Sequence, residues 1–306
     1  MFERVNLAAF ESDPANATQV DRICRDTGFL VLEGHGVAQA VIDDVWAAAA
    51  AFFAQDAAAK DAARAPYAGY PYGYLGPNSE ALARSQGEET PPDLKESFNG
   101  GPLHVPSDAS ADALAFCYQP TIWPDLPGFR PAWEAYYAAM EDLAARIMRL
   151  FAVALELPPD FFAPHIAHPI SALRALNYPA TGQVSFDNQQ RAGAHTDYGS
   201  LTILLPQAGR RGLQVRSPNG DWVDVPTPAG AFVVNIGDLM ARWTADRWVS
   251  TLHRVVALPD QPARQSLAFF HQPDWDALIT PLDGSEAYPP VRSGPYLMEK
   301  FQSTGA

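Results

Sequence analysis

Apolar positions in this chain follow two different rhythms. From Arg130 to Leu157 they recur at three- and four-residue steps, through Trp133, Tyr136, Tyr137, Met140, Leu143, Ile147, Leu150, Phe151 and Leu155. That spacing lines one face of a helix, and a helix this apolar on one side is expected to pack on a sheet. Ahead of it, a short helical pattern from about Ala17 to Thr27 leads into Gly28-Phe29-Leu30-Val31-Leu32, an apolar run of strand length that stops at Gly34-His35-Gly36. Val41 to Ala59 reads as a further helix, with Ile42, Val45, Trp46, Phe52 and Phe53 as its apolar members. Pro66 to Pro127 is rich in Gly, Pro, Tyr and Ser and reads as one long loop. Loops of that length in compact proteins usually carry function, so Tyr70, Tyr72, Tyr74 and Phe98 are the expected wall over a substrate.

Beyond Pro169 the rhythm shortens. Strand-like runs are expected at about Ser171–Asn177, Ala194–Leu205, Leu213–Val215, Trp222–Val225, Ala231–Ile236, Thr251–Leu258 and Ser266–His271. Gly209, Gly212, Asn219-Gly220, Gly230, Gly237-Asp238 and Pro259 punctuate them. Many short strands at this spacing argue for a sandwich or barrel, which makes the chain mainly β with flanking helices.

Charge and cysteine usage narrow the classes. The 306 residues carry 35 acids against 21 bases, a formal net charge of −14. The longest basic run is Arg210-Arg211, so a phosphate-gripping surface is not expected and nucleic acid is excluded as a directly held partner. Two cysteines, Cys24 and Cys117, fit a reducing compartment. The first residues lack the basic and apolar segments of a signal peptide, and no apolar run reaches the roughly 20 residues of a membrane span. The expectation is a cytoplasmic protein with no membrane partner; the pattern leaves its oligomeric state open.

The candidate chemistry starts from the seven histidines. Only His195 has an acid two places on, Asp197, and on a strand residues i and i+2 share a face. Chance alone gives roughly 0.8 such pairs in a chain of this composition, so the pair needs support. His253 supplies it from Thr251-Leu-His-Arg-Val-Val-Ala257, where alternation puts it on the apolar, inward face with Val255 and Ala257. Two histidines and one carboxylate on facing strands form the facial triad that binds Fe(II) and leaves positions open. About ten residues later Arg264 and Ser266 share a face, and an arginine fork beside a hydroxyl suits a carboxylate. His35 between its glycines is expected to serve a turn. His104, His165 and His168 sit near prolines without a partner pattern, and His271 falls on the face opposite Ser266.

These phrases, in this order, resemble the iron/2-oxoglutarate oxygenase core of the isopenicillin N synthase-like family. The likeness is carried by Arg174-Ala-Leu-Asn-Tyr178-Pro179, Gly193-Ala-His195-Thr-Asp197-Tyr-Gly-Ser-Leu-Thr-Ile-Leu, Gly212-Leu-Gln-Val, Val234-Asn-Ile-Gly-Asp238, Trp243-Thr244, Ser250-Thr-Leu-His253-Arg-Val, Arg264-Gln-Ser266 and Phe269-Phe-His-Gln-Pro273. It extends outward to Asp26-Thr-Gly-Phe-Leu-Val-Leu-Glu-Gly-His-Gly-Val37, to Asp93-Leu-Lys-Glu-Ser-Phe98 and to the tail from Pro281 to Phe301.

The resemblance implies a double-stranded β-helix (a jelly roll of cupin type) as the core over 165–275, with a dioxygenase N-terminal region over 1–125 packed on it and the whole chain, 1–306, one compact unit. It implies Fe(2+) held by His195, Asp197 and His253, with 2-oxoglutarate and O2 as co-substrates. Arg264 and Ser266 would bind the distal carboxylate of 2-oxoglutarate, helped by a hydrogen bond from Tyr178. The asparagine that some plant members carry two places before that tyrosine is Leu176 here. The implied reaction oxidises a C–H bond of a small organic molecule, most often by hydroxylation, with release of succinate and CO2. An oxidase that does not use 2-oxoglutarate, in which Arg264 grips the substrate itself, and an ethylene- and succinate-forming enzyme remain the alternatives within the family. Outside it stand a catalytically silent barrel and a zinc hydrolase.

Overall fold

The computed structural model describes residues 2–304 apart from 14, 16, 68, 89 and 183–188. Fourteen strands are β1 (Arg4–Asn6), β2 (Phe29–Glu33), β3 (Gly73–Leu75), β4 (Glu96–Gly100), β5 (Ala172–Tyr178), β6 (Ala192–His195), β7 (Leu201–Pro206), β8 (Leu213–Arg216), β9 (Trp222–Asp224), β10 (Phe232–Ile236), β11 (His253–Val255), β12 (Arg264–His271), β13 (Leu278–Ile279) and β14 (Val291–Arg292). The helices are α1 (Leu7–Ser12), α2 (Ala17–Asp26), α3 (Gln39–Phe53), α4 (Ala57–Asp61), α5 (Ala111–Phe116), α6 (Phe129–Ala154), α7 (Asp238–Trp243) and α8 (Ser293–Thr304).

The major sheet runs β1-β2-β10-β7-β12-β5-β4-β3, and a minor sheet runs β6-β11-β8-β9. All pairings in both sheets are antiparallel except β1 with β2. Alternation sends every second side chain of the major sheet to each face. One face (Leu30, Leu32, Leu173, Ala175, Ile203, Leu267 and Phe269) packs into a large core with α2, α3 and α6. The other face contributes Phe29, Leu176, Tyr178, Val233 and Ala268 to a smaller core shared with Leu213, Val215 and Val255 of the minor sheet. The second core is the inside of the jelly roll, and the functional side chains project into it.

The helix α6 follows the expected stripe, with Trp133, Tyr136, Tyr137, Met140, Leu143, Ile147, Leu150 and Phe151 all buried. Three expectations need correction. The run Val41–Ala59 is broken by a turn, giving α3 and then α4, whose Asp56 cap accepts from the Ala59 amide. The expected strand Ala194–Leu205 is two strands, β6 and β7, in different sheets. The expected loop from Pro66 to Pro127 contains β3 and β4, which extend the major sheet at β5, and α5.

That third correction overturns part of the expected substrate wall. Phe98 is fully buried on the helix side, with Phe52, Phe129 and Trp133 around it at 5.0–5.3 Å between ring centroids. Tyr74 packs on Phe52 and donates to Glu96 Oε2 at 2.5 Å. Tyr70 and Tyr72 donate to the carbonyls of Pro120 and Cys117, so they brace the segment. The register instead sets Ser97 opposite Leu176 and Asn99 opposite Arg174, on the inner face.

Candidate metal and co-substrate site

β6 and β11 are neighbours in the minor sheet, with His195 directly paired to His253. Their rings lie 4.3 Å apart between centroids. Each ring is oriented by its own backbone two residues upstream: His195 Nδ1 donates to Gly193 O at 2.7 Å and His253 Nδ1 to Thr251 O at 3.1 Å. A donating Nδ1 leaves Nε2 as the bare, ligating nitrogen of a neutral imidazole. Phe29 meets the His253 ring edge-on and limits its rotation.

Asp197 joins the two rings by a route the sequence reading did not give. The strand ends at His195, so the i, i+2 rule does not place the carboxylate; the loop between β6 and β7 does. This loop crosses the turn before α7 so closely that a Cβ on Gly237 would lie 2.2 Å from Gly199 O. The Asp238 amide then donates to Asp197 O at 2.7 Å. Asp197 Oδ1 faces Nε2 of His195 at 3.9 Å and Nε2 of His253 at 3.8 Å. Its Oδ2 accepts from Thr202 Oγ1 at 2.6 Å and from Asn235 Nδ2 at 2.8 Å. Thr202 and Asn235 are cross-strand partners on β7 and β10, so the major sheet holds the carboxylate that the minor sheet's imidazoles face.

The electrostatics suit a cation. Burial, then the facing His253, push the His195 imidazole down to about 3. Burial alone would raise the Asp197 carboxyl, but the two imidazoles and the hydrogen bonds from Thr202 and Asn235 outweigh it and hold it below its ordinary value. Neutral imidazoles and an ionised carboxylate are the forms that bind a metal. Among the described residues, His195, Asp197 and His253 are the one group of this kind whose ligand atoms all lie within 4.8 Å of each other. Two nitrogens and one oxygen are the donor set of the iron facial triad.

His195 is also tied to the N-terminal part of the chain. Asp93 Oδ1 accepts from the Gly193 amide at 2.9 Å, and the carbonyl of Gly193 is the one that orients His195. Lys95, fully enclosed, lies 3.3 Å from Asp93 Oδ2 and 3.1 Å from Glu80 Oε2, and Arg174 donates to Glu80 at 3.0 Å. No role for Lys95, Thr202 or Asn235 was anticipated. A polar residue within the otherwise apolar Phe232-Val-Val-Asn-Ile236 was the available signal for Asn235.

Arg264, Ser266 and Tyr178 come together on the adjoining strands. Arg264 pairs with Tyr178 across β12 and β5, and its guanidinium lies 4.6 Å from the centre of the tyrosine ring. Arg264 is 4% exposed. Among the described residues it makes no ion pair, and its Nε and Nη1, like the Ser266 Oγ, are buried without a hydrogen-bond partner. A buried guanidinium with idle donors is costly unless an anion completes it. A carboxylate fits that deficit, because it brings only acceptors and matches the arginine fork. The far end of 2-oxoglutarate is such a group.

Two further histidines serve the local structure. His35 Nδ1 accepts from the Val37 amide at 3.1 Å, which is a turn role. His271 is enclosed on the opposite face of β12, 3.1 Å from Ser171 Oγ, and burial pushes its imidazole down to about 4.

Comparison with known proteins agrees with this geometry. A family model described as the 2OG-Fe(II) oxygenase superfamily matches residues 170–273, and one described as the non-haem dioxygenase in morphine synthesis N-terminal matches residues 3–126. A 2-oxoglutarate-dependent dioxygenase of Didymella fabae is 35% identical over 91% of this chain and 87% of its own length. The validamycin A dioxygenase of Streptomyces hygroscopicus subsp. limoneus is 33% identical, over 96% and 82% respectively. Among solved structures, a full-length Neurospora crassa protein in complex with alpha-KG and thymine superposes with a TM-score of 0.86 at 30% identity, covering 99% of this chain and 97% of its own. The jelly roll, the His-Asp-His cluster and these relatives together establish that the chain belongs to the 2-oxoglutarate- and iron(II)-dependent oxygenase superfamily and is a dioxygenase that uses Fe(II), 2-oxoglutarate and O2.

Proposed function

We propose that the protein hydroxylates a C–H bond of a small polar organic molecule, with His195, Asp197 and His253 holding Fe(II) and with Arg264, Ser266 and Tyr178 seating the far carboxylate of 2-oxoglutarate. The observation that carries this reading is the pairing of a three-ligand cluster with an idle, buried Arg264 and Ser266 on neighbouring strands. Bound Fe(II) and 2-oxoglutarate supply the oxidising chemistry: one O2 converts 2-oxoglutarate to succinate and CO2 and places one oxygen atom on the substrate carbon.

The chain's own residues bind, orient and exclude. Gly193 and Thr251 carbonyls fix which imidazole nitrogen faces the metal. Thr202 and Asn235 occupy one oxygen of Asp197 and so present the other. Tyr178 holds the Arg264 guanidinium against its ring. The inner face of β4 supports the choice of a polar substrate. Ser97 Oγ and Asn99 Oδ1 are buried there without partners among the described residues, beside Arg174 and Leu176 of β5. Related proteins act on or bind varied small molecules: the Neurospora crassa neighbour was solved with thymine, and the Streptomyces relative is named for validamycin A.

Turnover assays test the proposal. With Fe(II), 2-oxoglutarate, ascorbate and a panel of small polar substrates, succinate and hydroxylated product should form one to one and consume O2 in equal amount. Asn99→Leu should raise KM for the accepted substrate while leaving substrate-free succinate formation in place. Ethylene released from 2-oxoglutarate, with no oxidised second product across the panel, would favour the fragmenting alternative and overturn the hydroxylase reading.

A further inference from the structure

A second arginine lies next to the carboxylate seat with no acidic partner among the described residues. Arg191 is 1% exposed, yet no carboxylate pairs with it among the described residues. Its Nη2 donates to the carbonyls of Pro179 and Pro262, both at 2.8 Å, and its Nε is buried without a partner among those residues. Those two carbonyls fix its place. Pro179 follows Tyr178, Pro262 lies two residues before Arg264, and Tyr178 and Arg264 form the last rung of the β5–β12 ladder. Arg191 therefore straddles the end of the ladder that carries the seat, and it comes from the residue just before β6, four residues ahead of His195.

Two enclosed guanidiniums at the same end of one ladder repel each other. Burial and then the Arg264 charge hold Arg191 below its ordinary value. Backbone carbonyls answer hydrogen bonds but not a full charge. A bracing role alone would be served by a neutral donor. A buried charge that no acid answers among the described residues, with an idle Nε, is the feature that calls for an anion.

We propose that Arg191 is the second cation of the co-substrate seat, so that the far carboxylate of 2-oxoglutarate is held between Arg264 with Ser266 on one side and Arg191 on the other. This rests on the reading of Arg264 and Ser266 given above. It makes the pocket selective for a 2-oxo acid with a second carboxylate, because a shorter or neutral tail would leave two buried charges facing each other.

The test compares two ligands on each of three proteins: wild type, Arg191→Gln and Arg264→Ala. Anaerobic Fe(II) protein is titrated with 2-oxoglutarate and with 2-oxopentanoate, which keeps the metal-binding end but has a methyl in place of the far carboxylate. The readout is the dissociation constant from the visible absorbance of the metal chelate. Arg191→Gln should weaken 2-oxoglutarate by about ten- to hundred-fold, the worth of a charged hydrogen bond, and shift 2-oxopentanoate less than about three-fold. Arg191→Lys, which keeps the charge, should recover most of the loss and guards against a folding defect in the glutamine variant. Equal weakening of both ligands by Arg191→Gln would mean that Arg191 only braces the strands, and would overturn the proposal while leaving Arg264 in place. If Arg264→Ala also leaves the preference for 2-oxoglutarate intact, the seat lies elsewhere and both readings fall.

Discussion

Asp197 shows how a few side chains set the site. One carboxylate oxygen is tied up by Thr202 and Asn235, and the other is thereby aimed at two imidazoles. Outer partners of this kind typically govern metal affinity by ten- to hundred-fold. Thr202→Val with Asn235→Ala should weaken Fe(II) binding by about that factor without unfolding the protein, as read by anaerobic metal titration beside circular dichroism. The cluster of His195, Asp197 and His253 was legible because these are polar residues set into apolar runs at recognisable spacing. Thr202 and Asn235 were not, because a side chain that acts through a partner distant in sequence leaves no spacing to read. Tyr74 and Phe98 were misplaced for a related reason: aromatic residues in a turn-rich stretch look the same whether they face a substrate or a helix.

At the scale of elements, the position of Asp197 depends on a crossing of two turns. Gly237 packs on the Gly199 carbonyl, and the next amide, that of Asp238, holds the Asp197 backbone. Gly237→Ala would force these backbones apart. The expected result is a loss of about 1–3 kcal/mol in stability together with weakened Fe(II) binding, measured by denaturant unfolding and metal titration on one sample. Loss of stability with unchanged metal affinity would show that the crossing does not position the ligand. The long helix α6 and the ladder of β5 with β12 were legible, since a sustained period of 3.6 or 2 survives any tertiary context. The break between β6 and β7 was not, because Thr196-Asp-Tyr-Gly-Ser200 joins two apolar runs without changing their alternation. The short β4 was hidden by its proline- and glycine-rich surroundings. Yet it carries Ser97 and Asn99, whose polar atoms are buried without partners among the described residues.

Across the whole molecule, the N-terminal segment and the jelly roll are joined by the buried charges of Glu80, Asp93, Lys95 and Arg174. Burial would raise the Glu80 carboxyl, but Arg174 and Lys95 bring it down from 4.5 to about 2. A lowered folded-state value means that this contribution is present above about pH 4.5 and is lost as pH falls towards 2. By linkage it amounts to about 3 kcal/mol. Glu80→Gln should therefore be less stable than wild type at pH 7 and should lose less further stability between pH 4.5 and 2, as followed by denaturant midpoints. The same cluster reaches the metal site through Asp93 and Gly193, which explains how a motif about a hundred residues upstream belongs to the chemistry of His195. The central claim is that one metal and one 2-oxo acid meet inside this barrel, and a single anaerobic experiment addresses it most directly. Metal-free protein is given Fe(II) and then 2-oxoglutarate, and the visible charge-transfer band of the chelate is recorded. The account predicts a saturable band with one Fe(II) and one 2-oxoglutarate per chain, absent in His253→Ala and requiring far higher 2-oxoglutarate in Arg264→Ala. Iron binding without a band, or a band indifferent to both substitutions, would contradict it.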